Sequence, residues 1–136
     1  MKVQPLKVLL VEDNPGDARL VREMLSYAAP ARFQVTQTAQ LAQALELLGQ
    51  ETFDVLLLDL MLQDTPRLGA LLEIYDKASE VPTVVLTGLE DETVALWVLK
   101  EGARDYLVKG KVDAYTLVHS IEYAMERHRE RIGFLA

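Results

Sequence analysis

Leu6-Lys7-Val8-Leu9-Leu10-Val11-Glu12-Asp13-Asn14-Pro15-Gly16-Asp17 is the stretch that decides the fold. Six residues carry a single charge, and such a short apolar run has the pattern of a strand buried on both faces. Two acids end it. Asn14, Pro15 and Asp17 then open a helix: an Asn cap, a proline at the first helical position and an acid in the first turn. A buried strand passing straight into a capped helix is one βα unit, and the rest of the chain repeats it.

Val21, Met24, Leu25 and Ala28 recur at helical spacing, and Pro30 follows the stop. Phe33 to Thr38 reads as a strand. Leu41, Ala44, Leu45 and Leu48 stripe a helix closed by Gly49. Phe53 to Leu58 is the most apolar strand and ends at Asp59. A helix is expected over roughly Leu68 to Lys77. A strand is expected over Pro82 to Leu86, ending at Thr87-Gly88. Val94, Ala95, Val98 and Leu99 mark a helix capped by Gly102. Tyr106 to Val108 is the last strand, ending at Lys109. Ala114, Leu117, Val118, Ile121 and Met125 stripe the last helix. Five βα units with apolar strands predict an α/β, doubly wound, five-stranded parallel sheet covered by helices on both faces. This is the flavodoxin-like arrangement with strand order 2-1-3-4-5.

Size and charge narrow the function. The 136 residues, 50% hydrophobic, suit one domain over 1–136, with a core over about 5–126 and the last helix extended over 127–136. The absence of cysteine excludes disulfides and thiolate metal sites. A net charge of −7 argues against a nucleic-acid or anionic-membrane surface. No apolar run approaches the ~20 residues of a membrane span. The N-terminus lacks a signal peptide's apolar region, so a cytoplasmic location is expected.

Parallel open sheets place their sites beyond the carboxyl ends of the strands, where strand order reverses. Glu12 and Asp13 follow the first strand, Asp59 the third, Thr87 the fourth and Lys109 the fifth. Taken singly, each has a plain structural role as a turn acid, a helix cap or a surface lysine. Jointly, they bring three carboxylates, a hydroxyl and an ammonium to one rim. Three carboxylates repel unless positive charge intervenes. Lys109 supplies part of it, and an oxygen-only ligand set suits Mg2+ for the rest. The set reads as a phosphoryl-transfer site. Asp59 is the nucleophile, Mg2+ and Lys109 neutralise the transferred oxygens, and the Thr87 hydroxyl donates to one of them.

Val11-Glu12-Asp13-Asn14-Pro15, Leu58-Asp59-Leu60, Leu86-Thr87-Gly88 and Gly102-Ala103-Arg104-Asp105-Tyr106-Leu107-Val108-Lys109 resemble, in order, the signature blocks of response-regulator receiver domains. The resemblance implies that Asp59 is the phosphoacceptor and Asp13 a direct Mg2+ ligand. It implies that Glu12 is the acidic neighbour acting through water, and that the Met61 carbonyl is a third ligand. Lys109 matches the family's lysine, Thr87 its switch hydroxyl and Tyr106 its switch aromatic. The donor would be a phosphohistidine on a histidine kinase or phosphotransfer protein. Output would pass to a downstream protein or to a domain beyond the C-terminus, and the family admits a phosphorylation-dependent dimer. Self-dephosphorylation would be slow. Gln63 and Arg67 depart from the family pattern after the acceptor. Gly110 stands where a cis-proline is usual, and a trans Lys109–Gly110 bond is expected.

Two other classes fit less well. A phosphohydrolase of this fold carries a second Asp two residues after the nucleophile, where Met61 stands. A flavodoxin needs a Ser/Thr/Gly-rich loop after the first strand, where Glu12 and Asp13 would repel a phosphate. His119 and His128, too far apart on the last helix to act together, read as solvated or rim histidines. Trp97 lies out of phase with its helix's apolar stripe, poised between partial burial and an interface. Arg127, Arg129 and Arg131, mixed with Glu126 and Glu130, read as a solvated helix end.

Overall fold

The computed structural model describes residues 4–62 and 69–135, with side chains to residue 129. Ten elements alternate: β1 Leu6–Val11, α1 Pro15–Ala28, β2 Phe33–Thr38, α2 Leu41–Gln50, β3 Val55–Leu58, α3 Gly69–Ala78, β4 Thr83–Thr87, α4 Glu92–Lys100, β5 Asp105–Val108 and α5 Ala114–Leu135. The strands form one parallel sheet in the order β2-β1-β3-β4-β5, as the sequence predicts.

Strand alternation builds the layers. Val8 and Leu10 of β1, Val55 and Leu57 of β3, and Val84 and Leu86 of β4 point to one face. There they pack with Val21 and Leu25 of α1 and Leu117 and Ile121 of α5. The residues that alternate with them, Leu9, Val11, Leu56, Leu58 and Val85, point to the other. They meet Leu41 and Ala44 of α2, Leu71 and Ile74 of α3, and Val98 of α4. An apolar residue is therefore needed through the middle of the three central strands, Val8 to Val11, Val55 to Leu58 and Val84 to Leu86, which is why those stretches read as unbroken hydrophobic runs. The edge strands differ: β2 leaves Gln34 and Gln37 exposed, and β5 is half-buried throughout.

Caps set the helix starts. The Asn14 side chain accepts from the Asp17 N–H at 2.9 Å, and the Asp91 side chain accepts from Thr93 and Val94 at the head of α4. Gly49 does not close its helix; α2 runs on to Gln50. Gly102 follows the cap of α4 at φ 116°, where a Cβ would meet the Tyr75 ring at 2.8 Å. The Lys109–Gly110 bond is trans, and Gly110 makes its turn at φ 84°. No helix among the described residues is long and apolar enough to cross a membrane.

Two further expectations, for His128 and Leu99, need correction, and of the two readings of Trp97 partial burial holds. His128 is buried rather than solvated, because it continues the inward stripe of Ile121, Ala124 and Met125. Its Nδ1 accepts from Arg104 Nε at 3.2 Å. Leu99 is exposed: the α4 stripe that reaches the core is narrower than its apolar sequence, and Val98 alone is buried. Trp97 lies half-buried against the core.

Candidate functional site

Register places the site. Val11 pairs with Leu58, and Thr87 with Val108, so those strands end level with one another. The residues immediately beyond continue the ladders: Glu12 N–H donates to Thr38 O, Asp59 N–H to Val11 O and Lys109 N–H to Thr87 O, at 2.9, 3.1 and 2.8 Å. Their side chains therefore rise from rigid backbone onto a common rim. Glu12 and Asp59 sink into it, 1% and 5% exposed.

The Lys109 ammonium joins them. Nζ lies 2.9 Å from Asp59 Oδ2 and 2.9 Å from Asp17 Oδ2, and it also contacts Glu12 Oε1. Asp59 Oδ1 accepts from the Met61 N–H at 3.0 Å, and Glu12 Oε2 from the Asn14 N–H at 3.2 Å. Glu12, Asp13 and Asp59 each offer a carboxylate oxygen within 4.8 Å of the others. The expected site residues converge, with one addition. Asp17 read in the sequence only as a helix-start acid, yet it shares Lys109.

Burial and charge act against each other here. Burial pushes the Glu12 carboxyl up to about 7, against the pull of Lys109 and the Asn14 N–H, and the Asp59 charge adds to the rise. Burial acts on Asp59 too. There it is overcome by Lys109, the Met61 N–H and the Thr87 hydroxyl, and the Asp59 carboxyl lies below its ordinary value. Lys109 is desolvated, but its three carboxylate partners outweigh that and hold it above its ordinary value. At neutral pH Asp59 is an ionised carboxylate with a cation beside it, the protonation state a nucleophile needs.

Thr87 is fully buried beneath the rim, and its Oγ1 accepts from the Leu89 N–H at 3.4 Å. The Tyr106 hydroxyl donates to the Leu89 carbonyl, so the ring is turned inward toward the loop that follows Thr87. Met61 is half-exposed beyond Asp59. Gln63 and Arg67 lie outside the described residues.

A doubly wound α/β domain with an acidic strand-end rim and one bridging lysine defines the class. The family model for the response regulator receiver domain matches residues 8–122. Protein PilH of Pseudomonas aeruginosa is 30% identical over 117 residues, covering 85% of this chain and 93% of PilH. The glycerol metabolism activator of Pseudomonas putida is 30% identical over 104 residues, 76% of this chain and 47% of that protein. The chain spans 28% and 21% of two longer regulators, from Methanothrix harundinacea and Vibrio cholerae, so it covers less than half of such relatives.

In structure it is similar to the signal receiver domain of a putative Luxo repressor protein from Vibrio parahaemolyticus. The TM-score is 0.82 at 20% identity, over 97% of this chain and 98% of that one. It is also similar to a response regulator from Burkholderia pseudomallei described with a phosphorylated aspartic acid, calcium ion and citrate. There the TM-score is 0.73 at 22% identity, over 95% and 74%. The chain belongs to the response regulator receiver family, and its function lies in two-component signalling.

Proposed function

We propose that the domain is a switch set by phosphorylation of Asp59. The observation that carries this is the Lys109 ammonium bridging Asp59 and Glu12 across three strand ends. In the reaction, an Asp59 carboxylate oxygen gives an electron pair to the phosphorus of a donor phosphohistidine. The P–O bond forms as the P–N bond breaks, and the electron pair returns to the imidazole nitrogen, which takes up a proton. The product is an acyl phosphate on Asp59, whose loss to water would be slow.

Glu12, Asp13 and Asp59 fit a divalent metal: all are hard oxygen donors, close together and excessively negative. They would hold Mg2+, with the Met61 carbonyl as a further ligand. When bound, that ion supplies positive charge for the oxygens of the transferred group. Lys109, already against Asp59 Oδ2, would orient the same group through its ammonium. The main-chain bond of Asp59 to β1 keeps the nucleophile from turning aside, and the neighbouring Val-Leu-Leu-Leu strand keeps its base dry.

Thr87 and Tyr106 would convey the change. The Thr87 hydroxyl, turning toward a phosphoryl oxygen, releases the Leu89 N–H. The loop that holds the Tyr106 hydroxyl then moves with it. The surface so altered comprises α4, β5 and α5. The partners are a cytoplasmic histidine kinase or histidine phosphotransfer protein as donor, and a downstream protein or a further domain as receiver of the signal.

The deciding test is intact mass after incubation with acetyl phosphate and Mg2+. Wild type should gain one phosphoryl group and Asp59→Asn none. A stoichiometric adduct on Asp59→Asn would refute the assignment.

A further inference from the structure

Asp17 stands outside the carboxylate cluster yet makes one of the three contacts of Lys109. Of the three carboxylates that Lys109 touches, Glu12 and Asp59 belong to the group able to hold a metal, and Asp17 does not. The side chains of Glu12 and Asp59 are almost wholly buried, whereas that of Asp17 is 42% exposed at the rim. Its backbone is pinned by the Asn14 cap on the first turn of α1. With Lys109 it lines a cavity of about 620 Å³ between α1 and the loop before α5, floored by Leu20, Val21, Met24 and Val112.

An ammonium has three N–H donors and no more. Here each is directed at a different carboxylate. A cation drawn to Glu12, Asp13 and Asp59 takes over the neutralisation of Glu12 and repels the nearby ammonium. One donor of Lys109 is thereby released. Whether it stays in the crevice depends on what holds the others. Without Asp17 the repelled side chain has open solvent on the cavity side. With Asp17 it keeps a counter-ion that the metal does not compete for.

Resting on the proposed phosphorylation of Asp59, we propose that Asp17 is a positioning residue for Lys109. It anchors the ammonium when a cation enters, so that the donor freed from Glu12 points at the incoming phosphoryl oxygen.

Phosphorylation by acetyl phosphate at saturating Mg2+ tests this together with the 15N signal of the Lys109 ammonium, which reports whether the group is held. Asp17→Asn should slow phosphorylation about three- to fivefold, the scale of a partly solvated ion pair. Its Mg2+ affinity should stay within about twofold, since Asp17 is not a ligand. The ammonium signal should persist with Mg2+ in wild type and be lost on adding Mg2+ to Asp17→Asn. Asp17→Glu should recover part of the rate. Asp113→Asn removes the same charge from the same cavity rim without touching Lys109, retains a capping side chain, and should phosphorylate as wild type.

A rate at or above wild type in Asp17→Asn would overturn the inference, as would a Lys109 signal that survives Mg2+ there or an equal slowing in Asp113→Asn. Those results leave the Asp59 assignment standing. An adduct on Asp59→Asn instead removes the assignment itself.

Discussion

Lys109→Met is expected to destabilise the metal-free domain, and Mg2+ to restore much of the loss. Lys109 is the counter-ion of Glu12 and Asp59, which are 1% and 5% exposed. Removing one side of a buried ion pair costs about 3–5 kcal/mol because the remaining charge is uncompensated. The cost is trimmed here. Glu12, already pushed up to about 7, takes a proton rather than standing charged. A loss of about 2–4 kcal/mol remains, or roughly 8–15 °C in melting temperature for a domain of this size.

The same deletion removes a competitor of the metal. The three carboxylate oxygens lie within 4.8 Å of one another, so a cation among them would stand roughly 5 Å from the ammonium. At an effective dielectric of ~20, a divalent and a unit charge at that distance repel by about 7 kcal/mol, of which screening and the movement of the flexible lysine leave ~1–2. Mg2+ should accordingly bind Lys109→Met about tenfold tighter than wild type. Asp59→Asn should move the other way. It removes one of the three carboxylates able to hold the metal and keeps an acceptor for the Met61 N–H, so it should weaken Mg2+; because the fold favours the ionised Asp59 carboxyl, the metal-free melting point should fall slightly. Melting curves in chelator and across a Mg2+ titration read all of this. An unchanged melting point for Lys109→Met in chelator, or a loss that Mg2+ leaves untouched, would refute the charge accounting.

Further outcomes follow from single contacts. Thr87→Ala should still be phosphorylated on Asp59 but lose the coupling to its partner; full coupling in whatever fraction is modified, measured by partner affinity, would contradict the proposed relay. Tyr106→Phe removes the donation to the Leu89 carbonyl and should shift backbone amide signals of the loop before α4 while leaving phosphorylation by acetyl phosphate intact. Gly102→Ala should cost about 2 kcal/mol or more, since φ is 116° and the new methyl would lie 2.8 Å from Tyr75. Gly110→Ala, at φ 84° in open space, should cost only about 1; denaturant titration ranks the two. Asp91→Ala should unfasten the head of α4 at about 1 kcal/mol, seen as faster amide exchange at Thr93 and Val94.

The fold was legible where burial leaves no choice. β1, β3 and β4 contact helices on both sides, so their middle positions must be apolar, and the run itself announces the strand. β2 and β5 lie at the edges and admit polar residues, as in the exposed Gln34 and Gln37 and in Asp105, which accepts from Ser120 of α5. Helix stripes are a coarser signal. An apolar residue at the right spacing is permitted at the core but not required there, hence Leu99 in solvent. A polar one at the right spacing can still be carried inside if it finds a partner, hence His128 beside Arg104.

Legibility of the site has the same physical source. Glu12, Asp13, Asp59, Thr87 and Lys109 could be read because a parallel sheet sends all its strands in one direction, so that the residues where strands end are neighbours however far apart in sequence. Backbone topology places them. Asp17 escaped because topology places only its helix, and an acid in the first turn already has a sufficient local reason to be there. What links it to the site is the reach of a lysine side chain from β5 across to α1, which no periodicity encodes. A strand-end pattern therefore identifies the groups that can do the chemistry. The groups that hold those in place are chosen by side-chain length and by which charges remain unsatisfied. Here one ammonium among three acids ties the first turn of α1 to the strand-end rim.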